Sequence, residues 1–213
     1  MTDKASPPLR LYLIRHGETA WSLTGQHTGR TDIALTPRGE RDAIQLAAPL
    51  GTAKFTHVFC SPLQRARKTC ELAGYATAAV LEPDLTEMDY GEYEGQRTRD
   101  ICKSRPDWNL FRDGCPGGET PDQIATRADR LIARLRRLEG NVALFSHGHF
   151  GRILAACWIG SSAQTAQHFL LSTASISILG YEHNSAEEPV IILWNSVADQ
   201  FPHSMSKQMI GDR

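Results

Sequence analysis

Apolar residues in this chain come in short runs, and each run stops at a polar cluster. The run at 9–14 (LRLYLI) is closed by Arg15-His16-Gly17 and predicts a buried strand that feeds a loop. Runs at 55–60 (FTHVFC) and 141–146 (NVALFS) predict two further strands, and 78–81 a weaker one. Residues 175–182 and 190–195 are β-rich, with a polar loop between them, and predict a hairpin at a sheet edge. Elsewhere the period lengthens to that of a helix. Thr36-Pro37 supplies an N-cap and a first-turn proline for a helix that should end at Gly51. Ser61-Pro62 repeats that signal for a helix running to about Gly74. Thr120-Pro121-Asp122-Gln123 is a capping box, and Ile124, Ala128, Leu131, Ile132, Leu135 and Leu138 behind it form one core-facing stripe. Residues 151–158 predict a last helix, whereas 21–35 and 82–118 show no period and are expected to be irregular.

Strands alternating with helices predict an α/β fold: a three-layer sandwich with a mostly parallel sheet and helices on both faces. No linker, repeat or shift in composition divides the chain, so 1–213 is expected to be a single domain, with 1–8 flexible and 204–213 a frayed tail. At 213 residues and 41% hydrophobic it is long enough to bury a core without disulfides. A net charge of -1 gives no electrostatic reason to expect nucleic acid or an acidic membrane as partner. The cluster of Arg134, Arg136 and Arg137 reads as a complement to a helix dipole. Five cysteines, an odd number without a CxxC pair, suggest reduced thiols, and the polar N-terminus lacks the apolar core of a signal peptide. No apolar stretch approaches the ~20 residues that span a bilayer. A cytoplasmic location is expected. The oligomeric state is open.

Chemistry-bearing residues gather where strands end. Arg15-His16-Gly17-Glu18-Thr19, Ser61-Pro62-Leu63-Gln64-Arg65 and Ser146-His147-Gly148-His149 each follow an apolar run. In an open α/β sheet, ligands bind outside the carboxyl ends of the strands, so the three clusters should converge on one crevice. Two guanidinium groups, imidazoles and helix N-termini together suit a phosphoryl group. Acid/base work needs a carboxylate, and Glu87 and Asp89 lie in the acidic stretch 85–95 (LTEMDYGEYEG).

These motifs, in this order, resemble those of the histidine phosphatase superfamily, which includes the cofactor-dependent phosphoglycerate mutases and many sugar-phosphate phosphatases. RHGET at 15–19, SPLQRARKT at 61–69, LTEMDYGEYEG at 85–95 and SHGH at 146–149 carry the resemblance, together with GQHTGRTDIALTPRGERDA at 25–43. The loop and the SHGH motif are similar to those of sedoheptulose-bisphosphatase-like enzymes. The resemblance implies a phosphoglycerate mutase-like fold, His16 as covalent nucleophile, Arg15, Arg65 and His147 as phosphate ligands, and Glu87 as proton donor. It places Ser22 where many members carry a phosphate-binding asparagine, and Thr28 and Gly29 in a substrate-facing loop, with His149 beside the substrate. No metal or cofactor is expected, because the arginines supply the positive charge. His27 either faces the substrate or fills the loop.

The implied activity is hydrolysis of a small phosphomonoester, a sugar phosphate or bisphosphate, through phosphohistidine. Two alternatives stand beside it: phosphate transfer of the phosphoglycerate mutase type, and phospholigand binding without turnover. The segment 96–119 is shorter than the cover expected of a mutase, which favours hydrolysis.

Overall fold

A computed structural model describes residues 8–197. The expectations for the two termini, Pro8 apart, fall outside the described residues. In chain order the elements are β1 (Arg10–Arg15), α1 (Ala20–Thr24), α2 (Pro37–Gln45), α3 (Ala47–Leu50), β2 (Phe55–Cys60), α4 (Gln64–Leu72), β3 (Ala79–Leu81), α5 (Thr98–Ser104), α6 (Leu110–Asp113), α7 (Pro121–Leu135), β4 (Asn141–Ser146), α8 (Gly148–Trp158), β5 (Ser175–Tyr181) and β6 (Pro189–Val197). Single 3₁₀ segments lie at Pro83–Leu85, Gly91–Tyr93 and Ala163–His168.

The strands form one six-stranded sheet in the order β3-β2-β4-β1-β5-β6. β3, β2, β4 and β1 run parallel, while β5 and β6 form the expected antiparallel edge. The sheet is mostly parallel and buried on both faces, and alternation within its strands shows how. On β4, Val142 and Leu144 join one apolar cluster, while Ala143 and Phe145 join the other. On β1, Leu11 and Leu13 face the first cluster and Ile14 the second. The first cluster takes in Ile124, Ala128, Leu131, Ile132 and Leu135 of α7 with Ile153 and Leu154 of α8; the second takes in Leu46, Leu50, Ala66 and Cys70 from the α2–α4 side. These are the three layers. Among the described residues no helix is long and apolar enough to cross a membrane.

Register aligns the strand ends. Arg15 pairs with Ser146, and Cys60 with Phe145. The ladder extends one step further, since His16 N donates to the Ser146 carbonyl (3.0 Å) and Ser61 N to the Phe145 carbonyl (2.9 Å). His16, Ser61 and His147 therefore stand side by side across three adjacent strands, at the carboxyl edge where parallel sheets bind ligands.

Helix caps follow the sequence signals in two cases of three. Thr36 caps α2 through Gly39 N (3.0 Å), and Thr120 and Gln123 form the reciprocal box of α7 (3.2 and 2.9 Å). The helix predicted from 36 to Gly51 is interrupted at Leu46 and forms two pieces. Ser61 does not cap α4: that helix begins at Gln64, and the Ser61 hydroxyl turns instead to His147 Nε2 (2.7 Å).

Two stretches expected to be irregular contain helices. Within 21–35, α1 forms because Thr19 and Ser22 cap each other reciprocally. Within 82–118, α5 and α6 escape detection because they are short: Ile101 is the one buried residue of α5, and α6 is a single turn that buries Leu110 and Phe111. α8 begins at Gly148 rather than 151; the two weak helix formers in its first turn, Gly148 and Gly151, hide that start in the sequence.

Candidate active site

His16 follows β1 directly, and the backbone around it is tightly constrained. A Cβ on Gly17 would lie 2.4 Å from the Gly39 carbonyl oxygen, so the strand-end loop meets α2 at a distance that glycine alone permits. The His16 ring is 4% exposed, and its Nδ1 lies 2.7 Å from the Gly17 carbonyl. A carbonyl can only accept, so Nδ1 carries the proton and a neutral ring leaves the Nε2 lone pair bare. Burial holds the pKa of His16 well below its usual value, and the Arg15 and Arg65 charges push the same way, against the Gly17 hydrogen bond. A neutral imidazole with a free Nε2 is a nucleophile.

Arg15 lies beside it. Its Nη1 donates to the Leu171 carbonyl, and its Nε is the one buried side-chain nitrogen or oxygen among the described residues with no hydrogen-bond partner. A Cβ on Gly148 would lie 3.1 Å from the guanidinium carbon, so the glycine of the SHGH motif makes room for that group.

Arg65 and His147 form a second rank behind His16. His147 and His16 ring centroids are 5.1 Å apart. Arg65 Nε donates to His147 Nδ1 (3.2 Å), so His147 Nε2 carries the proton and donates it to Ser61 Oγ (2.7 Å). The remaining Arg65 contacts are to the Thr31, Thr28 and Gly29 carbonyls at 2.8–3.0 Å, which bind the 28–31 loop to the site. Both side chains are wholly buried and neither lines the cavity. Their N–H groups meet protein partners, apart from one Nη1 hydrogen of Arg65, and both side chains support the cavity wall from behind.

Glu87 comes from the acidic stretch, and its carboxylate occupies the N-terminus of α8. Oε1 accepts from Met88 N (2.9 Å) and Phe150 N (2.8 Å), whereas Oε2 accepts from His149 N alone (3.1 Å). Oε2 is thus the oxygen with capacity for a proton.

These groups open on a cavity of about 250 Å³ lined by Arg15, His16, Glu87, His149, Arg152 and Thr98, among others. Thr28, Ser22 and His27 also reach it, but Gly29 does not. Gly29 supports the wall instead, donating N–H to Glu94 and offering its carbonyl to Arg65. The Ser22 hydroxyl is committed to Thr19, accepting from its N–H (2.9 Å) and donating to its carbonyl (3.0 Å), so its expected donation to phosphate is already spent within α1. His147 and His149 do not share a ligand point: the first faces Arg65 and Ser61, the second Tyr90 (2.5 Å). Both lie at the start of α8, His147 as its N-cap residue and His149 in its first turn.

Sequence reasoning missed Arg152 and Thr98 as wall residues, and read Tyr90, which also lines the cavity, as aromatic packing. Arg152 follows His149 by three positions and so shares its face of α8, a signal hidden by starting that helix too late. Its Nε and Nη2 are tied to the Ala166 and Gln167 carbonyls (both 3.0 Å), its guanidinium lies 4.4 Å over Phe111, and burial lowers its pKa to about 10. The cover segment 96–119 also reaches the site: Gln26 pairs with Arg97 and Thr98 lines the wall.

Three buried histidines and one half-buried one make stability sensitive to acid. Burial depresses the pKa values of His16, His147 and His149 well below 6.5, and that of His27 to about 4. The unfolded chain therefore binds protons that the folded chain refuses, so stability is complete above the unfolded value and is lost as pH falls below 6.5. For His27 the loss continues to about pH 4, at roughly 1 kcal/mol per pH unit. The thermal midpoint should fall between pH 7 and pH 5, and less steeply in His27→Gln. A flat profile contradicts the neutral histidine cluster.

A strand-edge histidine, kept neutral between arginines and facing a small cationic cavity, defines a protein that handles phosphoryl groups. Residues 11–196 match the model of the histidine phosphatase superfamily (branch 1), and the chain belongs to that superfamily. It is 41% identical to an acid phosphatase of Mycobacterium tuberculosis, over 85% of this chain and 91% of the relative. It is 33% identical to sedoheptulose 1,7-bisphosphatase of Saccharomyces cerevisiae, over 86% of this chain and 92% of the relative. A solved structure of a Mycobacterium tuberculosis open reading frame product superposes with a TM-score of 0.84 at 37% identity, covering 89% of this chain and 98% of that one.

Proposed function

We propose that this chain is a cytoplasmic phosphatase of small phosphomonoesters, sugar phosphates or bisphosphates, acting through a phosphohistidine on His16. The observation that carries this reading is the unpartnered Arg15 Nε, buried beside a neutral His16 on a cavity wall. A buried guanidinium nitrogen without a partner is costly, and a phosphoryl oxygen satisfies it with charge assistance.

His16 Nε2 attacks phosphorus, the ester P–O bond breaks, and the leaving oxygen takes a proton from Glu87 Oε2. Arg15 neutralises the phosphoryl oxygens directly, while Arg65 and His147 hold His16 and the 28–31 loop in place. Glu87, now a carboxylate, takes a proton from water as that water attacks phosphohistidine, which returns His16 and releases phosphate. Arg152 offers a second positive charge further along the wall, suited to another anionic group on the same substrate.

Hydrolysis is favoured over mutase-type transfer by where the cover's cations point. Arg97 and Lys103 pair with Asp100, Arg112 with Asp113, and Arg105 donates to Tyr93; with Arg99 they stay out of the cavity wall. The cover thus adds no cation to hold a second phosphate while the first returns. Phosphate release from a panel of sugar phosphates, with EDTA present, tests this against isomerisation of 3-phosphoglycerate with catalytic 2,3-bisphosphoglycerate. Phosphate release from at least one sugar phosphate should outrun isomerisation and survive EDTA. Isomerisation faster than every release rate overturns the phosphatase reading.

A further inference from the structure

Glu87 sits in a stretch that neither a strand nor an α-helix passes through, yet its carboxylate must keep its place against His16. Ser146 Oγ donates to the Leu85 carbonyl (2.8 Å), and one side chain on α7 makes most of the other outside contacts to the backbone around it. Arg127, on α7, spends all five of its N–H donors there. Nη1 donates to the Asp84 (2.9 Å) and Thr86 (2.8 Å) carbonyls, and Nη2 to the Glu87 carbonyl (3.3 Å). Nε and Nη2 grip the two oxygens of Glu119 at 2.9 and 2.8 Å. Glu119 closes the loop from the other side, accepting from Asp89 N and donating its own N–H to the Asp89 carbonyl, both at 2.9 Å. The Arg127 guanidinium also lies 4.4 Å over the ring of Phe150, whose backbone N–H binds the Glu87 carboxylate.

We propose that Arg127, braced by Glu119, is a positioning residue for proton transfer: it fixes segment 84–89 against α7 and α8 so that Glu87 Oε2 meets the leaving oxygen. This rests on Glu87 being the acid. Arg127 is 12% exposed and touches neither His16 nor the cavity, so its influence on chemistry passes through Glu87. Planar bidentate contact with Glu119, combined with three carbonyl contacts, needs the guanidinium fork and cannot be reproduced by an ammonium.

A residue that merely stabilises the fold would slow all substrates alike. One that positions the acid slows those whose leaving group needs a proton. The test compares kcat for 4-nitrophenyl phosphate with kcat for a sugar phosphate that the wild type turns over, in R127M, E119Q, E87Q and the double variant E87Q/R127M. Misplacing a reacting group by about 1 Å costs on the order of 10²-fold, so R127M should lose about 10–100-fold on the sugar phosphate and less than about threefold on the aryl ester. E119Q, which keeps the shape and weakens the brace, should shift the ratio the same way by less, and it carries the comparison if R127M does not fold. In the E87Q background R127M should leave the ratio unchanged, because the group it positions is already gone. Equal losses on both substrates, or a further change of ratio in the double variant, overturn the proposal. A ratio unmoved in E87Q alone overturns the acid assignment, and this inference with it, and is recognised from that single variant.

Discussion

His16→Ala should abolish turnover of every phosphomonoester while leaving the fold intact. Loss of a covalent nucleophile in a site that acts as a unit costs on the order of 10⁶ in kcat. Nothing nearby can substitute, since His147 is engaged at both ring nitrogens by Arg65 and Ser61, and His149 faces Tyr90. The substitution removes a ring whose burial disfavours its charged form. At pH 5 the variant should therefore melt no lower than the parent, which separates loss of chemistry from loss of structure. A variant with near-normal kcat and a lowered melting point would reverse that assignment and make His16 a packing residue.

The second large effect is expected at Glu87, and it depends on the substrate. Glu87→Gln keeps the size of the side chain and removes the transferable proton. Loss of a general acid costs about 10²–10⁴-fold where the leaving group requires protonation. A sugar alkoxide requires it, whereas a nitrophenolate leaves largely without help. The fall in kcat should thus be about two to four orders of magnitude on sugar phosphates and slight on the aryl ester. Equal losses would assign Glu87 a positioning role and direct attention to Asp89. That residue is the less favoured acid here, because its carboxylate is paired with Arg30 at 2.9 Å and accepts from Gly91 N.

The fold was largely legible where local signals and tertiary packing agree. The α7 capping box and stripe gave both the start of the helix and its buried face, since Ile124, Ala128, Leu131, Ile132 and Leu135 are all buried. The apolar runs gave five of the six strands within a residue or so, and 190–195 all but the ends of β6; central strands covered on both faces admit little else, and the weak run at 78–81 matches the exposed edge strand β3. Legibility failed where a polar residue had two uses. Ser61 carries the chemistry of a cap but serves as an acceptor for His147, and that choice depends on a residue 86 positions away in sequence. Ser22 carries the chemistry of a ligand but closes a helix turn with Thr19. Arg65 has the charge of a phosphate ligand, and the carbonyls of the 28–31 loop also take three of its donors. Residue types at strand ends located the crevice; which of them face it was decided by hydrogen bonds between distant segments.

Arg152 and Arg127 illustrate the same limit from the other direction. Each is an unremarkable helical arginine in sequence. Arg152 lines the cavity because α8 begins directly after His147, which places one face of its first turns on the wall. Arg127 reaches segment 84–89 because α7 packs beside the 3₁₀ turn at Pro83–Leu85.

The central claim is that phosphate passes through a covalent bond to His16. It is tested most directly by rapid quenching in base during turnover of a ³²P-labelled phosphomonoester, followed by peptide mapping. The account predicts an alkali-stable, acid-labile label on the peptide that carries His16, absent from His16→Ala and accumulating further in Glu87→Gln with an aryl phosphate, where the water step lacks its base. Label on another residue, or turnover with no labelled protein at any quench time, would contradict it.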